Sequence, residues 1–92
     1  MNASDFEQQL RADGYTEITT QNLEPRPGKG HHGHEFAIRG LILDGSFTVT
    51  QNGQSTTYRA GQIFEVADGY PHDESVGPEG ATIVSGRKYA KS

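Results

Sequence analysis

The chain has 92 residues, of which 32% are hydrophobic, twelve are glycine and none is tryptophan, so it has material for one domain with a small core. Because it has no cysteine, disulfides, iron–sulfur clusters and thiolate zinc sites are excluded, and any bound metal must have nitrogen and oxygen ligands. The formal net charge of −4 and the scattered basic residues argue against a nucleic-acid partner.

The sequence also lacks features of membrane and secreted proteins. It has no stretch of the roughly 18 to 20 apolar residues that cross a bilayer, and its first residues lack the charged and apolar regions of a secretory signal. We therefore expect a cytoplasmic protein with no membrane partner.

A short helix is predicted at the start of the chain, over residues 1–14. Ser4 to Glu7 matches a capping box, Phe6 and Leu10 share one helical face, and Asp13-Gly14 supplies the left-handed residue that ends a helix. We expect this helix to pack on a sheet and to carry no chemistry of its own.

Residues 15–92 are predicted to form a single all-β domain with short strands. Their apolar and β-branched runs predict strands at residues 15–23, 36–43, 47–50, 56–58, 63–66 and 82–84. Asp44-Gly45 and the run 77–80 are expected to interrupt the strands, and Asn52-Gly53 predicts a type I′ hairpin. The polar tail from Arg87 to Ser92 is expected to be partly frayed.

All four histidines lie at two places in the chain, His31 to His34 and His72. Residues two apart in a strand share a face, so His32 and His34 can direct both imidazoles at one point while His31 points away. His72 could complete an open three-histidine site for a divalent transition metal such as zinc, iron, nickel, manganese or copper. The alternative is a set of packed, hydrogen-bonded histidines without metal.

Glycines at set distances from these histidines resemble the two motifs of the cupin superfamily. The first motif runs His-x-His, three or four residues, Glu, six residues, Gly, and here His32-Gly33-His34 precedes Gly45 at that distance. The second runs Gly, five residues, Pro-x-Gly, two residues, His, and Gly61 is followed in that spacing by Gly69 and His72. The resemblance covers about residues 25–86. It implies a small antiparallel β-barrel of jelly-roll type, with a metal inside the barrel mouth.

Two positions depart from the cupin motifs. Ala67 replaces the proline of the second motif, and Ile38 stands where the glutamate ligand of the first motif belongs. Glu74 lies two residues beyond His72 and can face the same way. It is a candidate for the missing metal ligand, for a general base, or for a partner of a cation; a solvated loop carboxylate is the alternative.

Two further residues are candidates for ligand binding. If Arg39 points inward, its guanidinium could bind a carboxylate or phosphate group, or pair with Glu74; otherwise it lies on the rim or the surface. Tyr70 could line the entrance of the site or pack within its own turn. Glu35 has the wrong parity to join His34.

Cupins include dioxygenases, isomerases and non-catalytic sensors, so the resemblance leaves the function open. Our first hypothesis is a metal-binding cupin with open coordination positions for a small organic ligand, acting as a dioxygenase or isomerase if it is an enzyme. The second is a non-catalytic ligand-binding or sensor module, and the third is a purely structural dimeric barrel. A homodimer is expected because the chain has few large apolar residues with which to build its core.

Overall fold

A computed structural model describes residues 1–90 as one helix followed by five strands. These are α1 (Ala3–Ala12), β1 (Thr16–Leu23), β2 (Phe36–Gln51), β3 (Gln54–Arg59), β4 (Ile63–Val66) and β5 (Asp73–Tyr89). All strand pairs are antiparallel, which confirms the predicted all-β architecture with an N-terminal helix. Of the tail predicted to be partly frayed, residues Arg87–Tyr89 belong to β5, Ala90 follows the strand, and residues 91–92 lie outside the described residues.

The two central strands are longer than predicted because neither expected interruption ends its strand. β2 runs through Asp44-Gly45, and β5 runs through residues 77–80. Pairing between β2 and β5 continues on both sides of these positions and keeps each strand intact. The register of the pairing shifts between Ile42 and Asp44 and again between Gly45 and Phe47. A β-bulge bends a strand without ending it, so these positions are corners of the sheet.

The corners divide the sheet into two halves that share β2 and β5. In the first half, the segment 36–42 of β2 lies between β4 and the segment 83–89 of β5, which also pairs with β1. In the second half, the segment 47–50 of β2 lies between β3 and the segment 73–76 of β5. Over the described residues the strand order is β1-β5-β2-β3 with β4 beside β2, and the sheet is not closed.

The main core lies between the two halves. It is formed by buried residues from both: Ile42, Phe47, Val49, Phe64, Val66, Val76, Ala81 and Ile83. Because alternate residues of a strand face opposite ways, the neighbours Leu41 and Val84 lie on the outer face. There they are covered by Phe6 and Leu10 of α1, together with Tyr15. The helix therefore packs on the sheet, as predicted.

The ends of α1 explain its bounds. Asn2, rather than Ser4, is the N-cap: its side-chain oxygen accepts a hydrogen bond from the Asp5 backbone N–H at 2.8 Å, so the predicted capping box is wrong by two residues. The predicted end is confirmed, since Gly14 has φ +86 and its N–H donates to the Arg11 carbonyl. Such a left-handed glycine ends many helices.

The β2–β3 hairpin is also confirmed. Asn52 and Gly53 both have positive φ, +52 and +74, as a type I′ turn requires. Of the helical segments within residues 1–90, none has the length and apolar character needed to span a membrane.

Candidate metal centre

His32 and His72 form an isolated two-residue bridge outside the named strands. The His32 N–H donates to the His72 carbonyl at 2.8 Å, and the His72 N–H donates to the His32 carbonyl at 2.9 Å. Directly opposite residues in an antiparallel pair place their side chains together. The ring centroids are accordingly 4.6 Å apart. The histidine loop, residues 24–35, is therefore tied to the start of β5 without forming the strand that the parity argument assumed.

His34 is brought to the same point by a second backbone contact. The Gly69 N–H donates to the His34 carbonyl at 2.6 Å, and a Cβ at Gly33 would approach the Gly69 carbonyl oxygen to 3.4 Å. The His34 ring stacks on Phe36, with centroids 4.7 Å apart and planes at 9°. Its centroid lies 4.8 Å from that of His32. The loop thus directs both imidazoles inward, as predicted.

Glu74 completes the group. Its Oε2 lies 2.9 Å from Nε2 of His72, and its Oε1 lies 3.7 Å from Nη2 of Arg26. Arg26 also donates to the Glu74 carbonyl at 2.7 Å and bridges to Val76 by backbone hydrogen bonds. The carboxylate is only 17% exposed, so it is not the solvated loop group of the alternative interpretation.

One potential ligand atom from each of His32, His34, His72 and Glu74 lies within 4.8 Å of the others. This group could hold a metal ion, because imidazole and carboxylate are common ligands of divalent transition metals. His72 is fully buried while His32 is exposed, so the group opens to solvent on one side. His31 is exposed and contributes no atom to this group.

Hydrogen bonds orient two of the imidazoles. Nδ1 of His72 lies 3.1 Å from the Tyr70 carbonyl, and Nδ1 of His32 lies 3.3 Å from the Gly30 carbonyl. A carbonyl oxygen only accepts, so each Nδ1 is placed to donate a hydrogen to it, and each Nε2 is left to face the candidate centre. Metal-binding histidines typically make such an Nδ1–H contact with a carbonyl group.

Electrostatics favour a neutral His34. Desolvation by its surroundings is the main cause that lowers the pKa of His34 below its ordinary value, and the neighbouring His32 and His72 lower it further. Only a neutral imidazole can bind a metal, so the environment of this ring favours the ligand form.

Asp73 secures the loop to β5. Its Oδ1 accepts hydrogen bonds from the backbone N–H groups of Lys29, Gly30 and Glu74 at 2.9, 3.2 and 2.8 Å. The bond from Lys29 is the main cause that lowers the pKa of Asp73. A Cβ at Gly28 would lie 2.1 Å from Oδ2, so the glycine permits this close approach.

A cavity of about 330 Å³ lies beside the candidate centre, between the two halves of the sheet. His32, His34 and Glu74 reach it, while the buried His72 lies behind them. Its walls are mixed: eight of the lining residues are polar or charged, and the six apolar ones are Leu23, Phe36, Ile38, Phe47, Phe64 and Ile83. Ile38, which occupies the motif position of the missing glutamate, is thus a wall residue.

The structure places the other two predicted ligand residues away from this cavity lining. Arg39 pairs with Asp13 and Glu65, each at 2.5 Å, and its guanidinium lies 4.7 Å from the Tyr15 ring centroid. Arg39 therefore links α1 to the sheet and does not contact Glu74. The Tyr70 hydroxyl bonds to the Asn52 side chain, and the Tyr70 carbonyl orients His72.

Three residues near the site were not identified from the sequence: Arg26, Asp73 and Arg87. Arg26 and Asp73 act through contacts between distant segments, which no local pattern reveals. Arg87 had a usable signal, because Ile83, Ser85 and Arg87 alternate along β5 and all line the cavity. The signal was not used because residues 87–92 were expected to form a partly frayed tail and not a strand.

No protein-family model and no curated protein matches the chain. Among solved structures, a cupin-2 domain containing protein from Shewanella frigidimarina matches at 16% identity with a TM-score of 0.65, over 79% of this chain and 69% of that one. A predicted oxalate decarboxylase from Thermotoga maritima matches at 17% identity with a TM-score of 0.66, over 90% and 74%.

A third similar structure is an HTH_3 family transcriptional regulator from Vibrio cholerae. It matches at 18% identity with a TM-score of 0.69, over 87% of this chain and 46% of the regulator. In the Shewanella protein and four further matched structures, the region similar to this chain makes up 65% to 71% of the matched chain. Several matched proteins are named as cupin or double-stranded β-helix proteins. The chain therefore has the fold of the cupin superfamily.

Proposed function

We propose that the chain is a small metal-binding cupin. His32, His34, His72 and Glu74 would bind one divalent transition metal, leaving coordination positions open toward the cavity for a small organic ligand. The observation that carries this proposal is the convergence of the four ligand atoms within 4.8 Å of one another. The three imidazoles and one carboxylate suit zinc, iron, nickel, manganese and copper alike.

The contacts of His72 support this proposal independently. Its Nδ1 faces a carbonyl oxygen and its Nε2 faces the Glu74 carboxylate at 2.9 Å. A nitrogen lone pair and a carboxylate oxygen repel each other at this distance, so a proton or a metal ion must lie between Nε2 and Oε2. A metal bound by Nε2 and Oε2 satisfies both groups without charging a fully buried ring.

The bound metal would supply Lewis acidity, or oxygen chemistry if it is redox-active. The apolar and polar side chains that line the cavity would orient the ligand beside the metal ligands His32, His34 and Glu74. As an enzyme the chain would be a metal-dependent dioxygenase or isomerase.

Metal titration of chelator-treated protein tests the proposal. Calorimetry with Zn²⁺, Ni²⁺ and Mn²⁺ is expected to show one site per chain, lost in His34→Ala. The matched control is His31→Ala, which removes an exposed histidine of the same loop and is expected to bind metal like the wild type. Equal binding by wild type and His34→Ala would contradict the proposal.

A second candidate function is a non-catalytic sensor module. It is favoured by the match to a transcriptional regulator, where a region like this chain forms 46% of a larger protein. A ligand that raises the melting temperature of the metal-loaded protein and is recovered unchanged after prolonged incubation would favour the sensor. Conversion of the ligand would favour the enzyme.

We also propose that the chain forms a homodimer. The outer strands β1 and β3 end the sheet order and are largely exposed, and the buried apolar residues are few for a stable domain of this size. Light scattering at micromolar concentration is expected to give twice the chain mass, 10.0 kDa each, and a monomer mass would contradict this.

A further inference from the structure

The cavity has a positively charged group at its mouth. The guanidinium of Arg87 lies over the Phe36 ring, with its Cζ 4.3 Å from the ring centroid. Phe36 stacks in turn on His34 at 4.7 Å. The two steps place the guanidinium carbon no more than 9.0 Å from the centre of the His34 ring. Among the described lining residues, Arg87 is the one lysine or arginine.

Among residues 1–90, the hydrogen-bonding capacity of this guanidinium is largely unused. Its partner is Glu17, whose Oε1 lies 3.6 Å from Nη1. This is longer than the roughly 2.7 to 2.9 Å of a charge-assisted hydrogen bond, so the carboxylate is near the donors without engaging them. Both side chains are about half exposed, Arg87 at 46% and Glu17 at 50%, so either is free to exchange partners.

The backbone at Glu17 directs its side chain to this position. Glu17 has φ +50, in the left-handed region that non-glycine residues rarely adopt, and it lies in the register shift between Thr16 and Thr19. A β-bulge of this kind re-aims a side chain. Here the result is that Glu17 lines the cavity and its carboxylate lies beside Arg87.

We propose that Arg87 binds the carboxylate of a small organic acid that enters the cavity, and that Glu17 is the internal carboxylate which this ligand displaces. The inference rests on the proposed function, because the other end of the acid would face the metal centre. The planar guanidinium, supported on Phe36, presents paired N–H donors that match both oxygens of a carboxylate.

The rest of the cavity restricts the class of acid. The six apolar side chains of the lining give a short hydrocarbon body a surface to pack on beside the polar groups, and about 330 Å³ suits a small molecule. Glu17 and Glu74 also line the cavity, so a doubly charged phosphate group would meet two carboxylates and one arginine. A carboxylate carries less charge and is the better partner. Because the guanidinium and the candidate centre line the same cavity within 9.0 Å of each other, measured to the His34 ring, an acid with a second oxygen-bearing group at its far end fits best.

The chain contains a matched control for an ordinary surface ion pair. Arg11 pairs with Glu7 on α1 at 3.5 Å, with Arg11 62% exposed, and neither residue lines the cavity. If Arg87 and Glu17 formed only a weak surface ion pair of this kind, substitution of Arg87 and substitution of Arg11 would have the same small effect on ligand binding.

The test is calorimetric titration of the zinc-loaded protein with linear dicarboxylates from malonate to adipate, each compared with its uncharged diamide. At least one dicarboxylate is expected to bind, and its diamide is not. Arg87→Gln is expected to weaken binding by about tenfold to a hundredfold, with Arg87→Lys intermediate and Arg11→Gln unchanged. Glu17→Gln is expected to tighten binding by about two- to fivefold, because the internal competitor loses its charge.

Zinc stoichiometry of each variant is measured first, which separates this inference from the metal proposal and confirms folding of the Arg87 variants. If wild type binds no zinc, the metal proposal fails, and the same titrations on the metal-free protein decide the role of Arg87. The inference is overturned if no dicarboxylate binds at 10 millimolar, on the order of the weakest useful affinity. It is equally overturned if Arg87→Gln binds like the wild type or if the diamides bind as well as the acids.

Discussion

Asp73 shows how much of the site depends on a residue that binds no metal itself. Its carboxylate holds two successive backbone N–H groups of the histidine loop, at Lys29 and Gly30, and so fixes the segment that leads to His32. Backbone N–H groups favour the ionised form, which accounts for the lowered pKa of Asp73.

Asp73→Ala is expected to weaken metal binding by about tenfold, because the loop loses its attachment to β5 while the ligands remain. Asp73→Asn keeps one carbonyl acceptor and is expected to lie between this variant and the wild type. Zinc affinity measured against a competing chelator checks both. Wild-type affinity in Asp73→Ala would show that the backbone contacts of Arg26, His32 and His34 position the loop without Asp73.

His34 predicts a pH dependence with a defined sign. The pKa of His34 in the folded protein lies below the ordinary value of 6.5, mainly because of desolvation, so below that pH the unfolded chain takes up a proton before the folded protein does. Stability is therefore unaffected by this group above pH 6.5 and decreases as the pH falls through the folded pKa.

The melting temperature of the metal-free protein is accordingly expected to be flat from about pH 8 to pH 7 and to decrease below about pH 6.5. His34→Gln, which cannot take up this proton, is expected to show a shallower decrease. Thermal unfolding in a series of buffers measures both slopes. Identical slopes for the two proteins would exclude His34 as a cause.

At the level of elements, the two long strands depend on glycines at the corners of the sheet. Gly45 has φ +78, and a Cβ there would lie 1.9 Å from the Gly80 carbonyl oxygen. Gly61 has a similar φ of +89 but no atom within 4 Å of its ideal Cβ. The two positions thus separate the effect of backbone conformation from that of close packing.

Gly61→Ala is expected to reduce the free energy of unfolding by about 1 kcal/mol, through backbone strain alone. Gly45→Ala is expected to cost about 3 kcal/mol or more, because two backbone segments must also separate. Urea denaturation of both variants provides the comparison. Equal losses would mean that the corner between β2 and β5 is not closely packed.

The same elements show where local sequence signals are reliable. Asn52-Gly53 predicted its hairpin because a type I′ turn depends on those two residues alone. Asp44-Gly45 carries a similar turn signal, but the pairing of β2 with β5 on both sides of it overrides the local preference. The N-cap was misplaced because Asn2 and Ser4 are both good capping residues, and only the fold selects between them.

For the whole molecule, the site was predictable where it rests on residue types at fixed spacing. His32, His34 and His72 were selected by chemistry and by the glycines around them, and Glu74 by strand parity; the structure brings all four together. Residue type and spacing did not assign Arg39 to the cavity or to the surface, and Arg87 was overlooked although its alternation with Ile83 and Ser85 was a usable signal. Arg39 lies on β2 and Arg87 on β5, and these two strands pair with each other. Which of the two arginines reaches the cavity depends on how the sheet folds over itself.

The central claim is that these four side chains form one metal site. The most direct measurement is elemental analysis of protein purified without a histidine tag, comparing wild type, the control His31→Ala and the double variant His32→Ala, His72→Ala. Wild type and His31→Ala are expected to contain about one transition-metal ion per chain and the double variant almost none. Equal metal content in all three proteins would contradict the account.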